Sequence, residues 1–141
     1  MRQNNSISDL LLNYNFEEAF EIAKQMEAEK IIESLESLSY KFGERINMIP
    51  FIFAYKYKLL IDDIKWNSIL MELIATCYIW YIGMPDTILE CAKKILAIDP
   101  NNKKALQMII YLYEECECNC SEEFYNNVKA KMDELGYTME D

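Results

Sequence analysis

The chain of 141 residues contains no histidine, which removes the Ser-His-Asp and Cys-His nucleophile systems and the HExxH zinc helix. Any proton transfer would fall to carboxylates, tyrosine, cysteine or lysine. Gly43, Gly83 and Gly136 stand far apart and none opens a GxxxxGK run, so a phosphate-cradling loop cannot be built. The densest run of reactive side chains is Glu114-Glu115-Cys116-Glu117-Cys118-Asn119-Cys120. Its three thiols could hold Zn²⁺ or a softer ion if a fourth ligand approached. The C-x-C-x-C spacing is not that of a C-x₂-C knuckle and no second cluster exists, so an acidic loop of reduced cysteines is the preferred reading. Cys77 and Cys91 fall within apolar helical patterns and read as core. The expectation is a protein without catalytic residues, cofactor or metal.

Charge points to binding instead. Twenty-four acids against fourteen bases leave a formal charge of −10, a balance that repels nucleic-acid phosphate. Residues 1–44 carry nine acids and four bases, residues 45–113 six and eight, and residues 114–141 nine and two. The candidate partner-binding residues are therefore Glu17, Glu18 and Glu21 near one end and Glu114, Glu115, Glu117, Glu122 and Glu123 near the other. They read either as solvated helix surface with favourable dipole placement or as one or two negative faces for a basic partner. Trp66, between Lys65 and Asn67 at a helix start, is added as a partly exposed anchor, with plain packing as its other reading.

These residues must be carried by helices. Apolar residues make up 52% of the chain, with three glycines and three prolines, which argues for a compact helical domain. Ser6-Ile7-Ser8-Asp9 matches a helix start. The set Phe16, Ala19, Phe20, Ala23, Met26 has one-face helical spacing, and so has Ala28, Ile31, Ile32, Leu35, Leu38, Phe42, which Gly43 would end. Pro50 opens a helix over about 50–61, expected to be almost wholly buried despite the strand-like alternation of Tyr55-Lys56-Tyr57-Lys58. Residues 66–82 read as the central core helix. Gly83-Met84-Pro85-Asp86 and Asp99-Pro100-Asn101-Asn102 bracket the next helix, Ala105 to Tyr113 form another stripe, and Ser121 opens a last helix over about 121–135. Phe51, Phe53, Tyr55, Tyr57, Tyr78, Trp80 and Tyr81 could line a pocket but are expected in the core. The Met1-Arg2-Gln3 start leads into an amphipathic segment, so no secretory leader is expected. The longest uncharged run, Leu73 to Pro85, is too short for a membrane span. Five cysteines without a disulfide pattern suit the cytosol.

Repeats organise these elements. Gly83 followed by Pro100, with Ile88, Ala92, Ile95 and Leu96 on one face and Lys93-Lys94-Ile95-Leu96-Ala97-Ile98-Asp99-Pro100-Asn101-Asn102 closing it, resembles the second helix and terminal turn of a tetratricopeptide repeat. Tyr14-Asn15-Phe16-Glu17-Glu18-Ala19 resembles the turn between the two helices of such a repeat. The expected fold is all-α: one domain over 1–141, a compact and degenerate tetratricopeptide-like array of stacked antiparallel helix pairs, with repeat-like stretches at about 8–42 and 66–116.

The order of segments across about 9–136 also resembles small tetratricopeptide-like immunity proteins encoded beside bacterial contact-dependent or polymorphic toxins. The likeness rests on Phe16-Glu17-Glu18-Ala19-Phe20-Glu21-Ile22-Ala23, Lys65-Trp66-Asn67, Ile82-Gly83, Ala97-Ile98-Asp99-Pro100-Asn101-Asn102 and Tyr113-Glu114-Glu115. Asn67 stands where such proteins often carry histidine. The resemblance implies a cytosolic protein that binds one toxin domain, such as a basic nuclease, and covers its active site. The alternative is a tetratricopeptide-like scaffold or co-chaperone that captures a peptide or protein, for which Lys56, Lys58, Lys65, Lys93 and Lys94 are the available bases.

Overall fold

The computed structural model describes residues 6–40 and 46–140. It is all-α: eight α-helices pack against one another, and no strand occurs among the described residues. They are α1 (Ile7–Leu12), α2 (Phe16–Ala23), α3 (Ala28–Ser39), α4 (Ile49–Ile61), α5 (Ile64–Leu73), α6 (Met84–Ile98), α7 (Lys103–Glu115) and α8 (Glu122–Leu135), with one π-helical turn, Ile74–Tyr78, continuing α5. None of the described helices is long and apolar enough to cross a membrane.

Side-chain caps set four of the eight starts. The Ser6 hydroxyl accepts from the Asp9 N–H at 3.1 Å, Asp63 from Trp66 at 2.8 Å, Asn102 from Ala105 at 3.0 Å and Ser121 from Phe124 at 3.1 Å, each satisfying a donor that a first turn leaves unpaired. Pro50 and Pro85 occupy the opening turns of α4 and α6. The helix stop expected at Gly43 lies outside the described residues; α3 ends at Ser39. Gly83 precedes α6 at φ +83°, and a Cβ built there meets nothing within 4 Å. The cost of Gly83→Ala is therefore conformational alone, and we expect the unfolding free energy to fall by about 1–2 kcal/mol. A thermal melt unchanged or raised by that substitution contradicts it.

α5 is central, packing on α3, α4 and α6, as expected of the core helix. It is not one straight helix to residue 82. At Ile74 the chain widens into the π turn, and at its end Cys77, Tyr78 and Ile79 are buried in succession. The Tyr78 hydroxyl donates to the Asn47 carbonyl at 2.5 Å and lies 2.7 Å from the Ser39 hydroxyl, while Tyr40 donates to the Thr76 carbonyl at 3.1 Å. A bulged turn re-aims side chains, and here it carries Tyr78 inward.

A repeat is visible in the ion pairs. Lys58 on α4 meets Glu90 on α6 at 2.6 Å, Lys94 on α6 meets Asp62 just after α4 at 3.0 Å, and Lys104 on α7 meets Glu72 on α5 at 3.0 Å. Each pair is separated by 32 residues. Helices one pair apart thus stand beside one another in matching register, compatible with stacked helix pairs. Asp62 fixes the register at the end of α4: it is left-handed at φ 53°, and its carboxylate accepts from Asn67 Nδ2 as well as from Lys94. Those two donors hold its carboxyl below the ordinary carboxylate range, the Asn67 bond most strongly. A contiguous apolar core runs from Ile7 in α1 to Met132 in α8.

Candidate functional site

The glutamates expected to bind a partner fall into two sets. Glu17, Glu18 and Glu21 lie along the exposed side of α2, which packs on α1 and reaches α4 and α5 through Phe20. Glu114 and Glu115 end α7, Glu117 lies in the connection and Glu122 and Glu123 open α8, all exposed. α8 packs on α7, and α7 on α6. The structure therefore makes two acidic faces, one toward each end of the array, and does not merge them.

The α7–α8 face is tied together locally. Tyr113 and Tyr125 stack with ring centroids 4.0 Å apart, the Tyr125 hydroxyl donates to Glu114, and Lys129 donates to that hydroxyl at 3.3 Å. The Glu114 carboxylate raises the Tyr125 hydroxyl above its ordinary pKa. The cysteine loop beside it is held by Asp86, whose carboxylate accepts from the Asn119 backbone N–H at 2.6 Å and from its side chain at 3.2 Å. Cys116, Cys118 and Cys120 are half-buried against the core. Burial raises the Cys118 and Cys120 thiols, which favours the protonated, unreactive form. Among the described residues no group of three Cys, Asp or Glu is arranged to hold a metal ion.

Three expectations are corrected. Trp66 is 2% exposed, so it is no surface anchor. Its indole packs with Phe20, Phe53 and Tyr57 at centroid distances of 5.6–5.8 Å. The N-cap bond from Asp63 sets the first turn of α5 so that the residue between Lys65 and Asn67 points inward. The second correction concerns α4, which has apolar residues all round and was expected to be almost wholly buried. It buries Phe53, Ala54, Tyr57 and Lys58 on one side and leaves Ile52, Tyr55, Leu59 (57% exposed) and Leu60 (69%) on the other. Phe53, Tyr57 and Tyr78 are core as expected, but Tyr55, Trp80 and Tyr81 are not.

The outer face of α4 is unusually apolar for a surface helix, with Lys56 the one charged side chain exposed on it. Lys58 is 3% exposed and paired with Glu90, while leucines face water beside it. The ring contacts Tyr55–Phe51, Phe51–Tyr78 and Tyr78–Tyr81 link this stripe to the corner where Trp80 and Ile82 project. α2 borders the other flank. Lys56 lines a hollow with Tyr14, Phe16, Glu17 and Glu18, and Glu17, Glu18 and Glu21 line an adjoining one with Phe20 and Tyr57. The Phe20 and Tyr57 rings stack at 4.2 Å, and burial, then Glu17 and Glu21, raise the Tyr57 hydroxyl.

The sequence did contain a signal for this surface. Leu59-Leu60-Ile61 crowds three large apolar residues at a helix end just before Asp62-Asp63, more than one buried face takes up. Comparison with protein-family models, with curated proteins and with solved structures yields no match to this chain in any of the three.

Proposed function

We propose that this chain is a protein-binding module that neutralises a basic partner by covering its working surface. The observation that carries the reading is the outer face of α4, where Ile52, Tyr55, Leu59 and Leu60 face water around a single exposed charge, Lys56, while the helix's other lysine, Lys58, is buried. Contiguous apolar surface of this kind on a soluble domain marks an interaction site. A formal charge of −10 with an acidic face at either end favours a cationic protein over nucleic acid. Together with the sequence likeness to tetratricopeptide-like immunity proteins, these features favour a cytosolic inhibitor of a toxin domain, with a nuclease as the activity whose substrate groove is most cationic. Binding alone suffices for such a role, since occluding substrate needs no covalent step.

The test is co-purification from the native host of the tagged full chain at low and high salt, with mass spectrometry and an activity assay of what is retained. The expected result is one stoichiometric basic protein, inhibited by the chain and released when charges on both faces are reversed (Glu17→Lys, Glu18→Lys, Glu114→Lys, Glu115→Lys). A salt-insensitive spread of chaperones and peptides favours the scaffold reading and overturns this one.

A further inference from the structure

We infer that the face shared by α2 and α4 is a docking groove for a cationic amphipathic segment, its apolar side on α4 and its lysines or arginines on the α2 glutamates. The inference rests on the protein-binding reading above and adds which face binds and what it binds. Ile52, Tyr55 and Leu59 follow one another at three and four residues, the spacing of a helix seam, and all are exposed. An apolar stripe selects an apolar complement but no charge. The charge comes from the flank: Glu17, Glu18 and Glu21 are exposed along α2, and α4 contains no acid of its own. Lys56 is exposed at the rim, its ammonium over the Tyr57 ring at 5.5 Å and in a hollow with Glu17 and Glu18, and the three α2 glutamates outnumber it so that the flank stays net negative.

That arrangement discriminates between occupants. A second copy brings a chain of formal charge −10 with no surplus of cations to meet the glutamate flank, and like net charges oppose the contact. An anionic membrane surface meets the same repulsion from a chain of charge −10. A segment with apolar residues on one side and cations on the other satisfies both halves of the groove. The α7–α8 face offers acids and a tyrosine stack, and Met139 is the large exposed apolar residue that shares a hollow with Glu114.

The experiment uses the full chain and two fluorescein-labelled helical peptides of about 18 residues that share one leucine face and differ in carrying lysine or glutamate on the other. Anisotropy at physiological salt should show 1:1 binding of the lysine peptide and none of the glutamate peptide. Leu59→Ser with Leu60→Ser, and separately Glu17→Gln, Glu18→Gln and Glu21→Gln together, should each weaken binding at least about tenfold. Glu114→Gln, Glu115→Gln and Glu117→Gln together should change it less than about twofold, since rim charges remote from a contact act only through screened attraction. Circular dichroism checks that each variant stays folded, and the glutamate variants carry the test alone if the serine variant does not. Equal losses in the two glutamine sets mean unspecific charge attraction and overturn the proposal, as does binding that ignores Leu59 and Leu60. Sedimentation as a dimer that the serine variant dissolves puts a second copy on this face, and adsorption to phosphatidylglycerol vesicles lost in that variant puts a membrane there. Either overturns it. A native partner held equally well by the α2 and α4 variants also overturns this placement but leaves the protein-binding reading standing.

Discussion

Replacing Trp66 by alanine lowers the unfolding free energy by about 3–5 kcal/mol, the cost of removing a buried indole and leaving a cavity that its surroundings fill only in part. The surroundings are rigid here. Phe20, Phe53 and Tyr57 contact the indole from α2 and α4, and Phe53 and Tyr57 also contact each other at 5.1 Å. Phe20 lies parallel to Tyr57, so neither ring can tilt into the void without giving up their stack. The loss is measured by urea denaturation followed by far-UV circular dichroism, because Trp80, 86% exposed, remains as a fluorophore but reports only the corner. Trp66→Phe keeps part of the contact and costs less. A loss below about 1 kcal/mol for the alanine variant would place the indole outside the core. Because the glutamates of α2 ride on the helix that Phe20 anchors, the same variant loosens the α2–α4 groove, and partner binding should weaken with stability.

Raising the pH from 8 to 11 removes about 4 kcal/mol of stability through two buried acids. Burial pushes Cys91, from an ordinary 9.0, up to about 12, against the opposing pull of the Lys58 ammonium, with Glu90 and Asp62 adding to the rise. Burial likewise pushes Tyr78 from 10.0 up to about 12, opposed by its bond to Ser39. A folded value above the unfolded one means that the native state holds its proton longer. The contribution is therefore complete below the unfolded value and is lost as pH rises toward the folded one. Cys91 begins to act near pH 9 and supplies the larger share of the loss by pH 11; Tyr78 begins near 10 and supplies the remainder. Lys58 has the same sign: burial lowers it, but the Glu90 bond and the charges of Cys91, Glu90 and Asp62 raise it overall, so its share is lost above 10.5. Urea midpoints across pH 8 to 11 measure the effect, and Cys91→Ala should flatten the part between 9 and 10. Midpoints that stay level to pH 11, or an alanine variant that follows the parent curve, refute it.

Helix positions were legible in the sequence because caps and punctuation are local. Ser6, Asp63, Asn102 and Ser121 act within four residues of themselves, and Pro50, Gly83 and Pro85 constrain their own backbone, so α1 and the helices from α4 to α8 begin close to where their residues indicate. The acidic character of α2 and of the α7–α8 connection was legible too, since a glutamate in a first turn or loop is exposed whatever packs nearby.

What apolar periodicity could not decide is which apolar residues meet a partner. Trp66 and Trp80 both follow the helical pattern of the same segment, yet one is sealed by Phe20, Phe53 and Tyr57 and the other projects into water, because the π turn at 74–78 rotates what comes after it. In α4, where apolar residues occur all round and only Lys56 and Lys58 interrupt them, the pattern contains little preference. α5 covers the side bearing Phe53 and Tyr57, Glu90 on α6 draws Lys58 inward, and Ile52, Tyr55, Leu59 and Leu60 are left outside. Sequence alone determined that the chain is helical, where its helices start and that its ends are acidic, since those depend on residues within one turn of each other. The tertiary structure alone decided that a second, apolar surface exists and that it borders the α2 acids, because burial is set by what a residue packs against on other helices, as Phe20, Phe53 and Tyr57 seal Trp66.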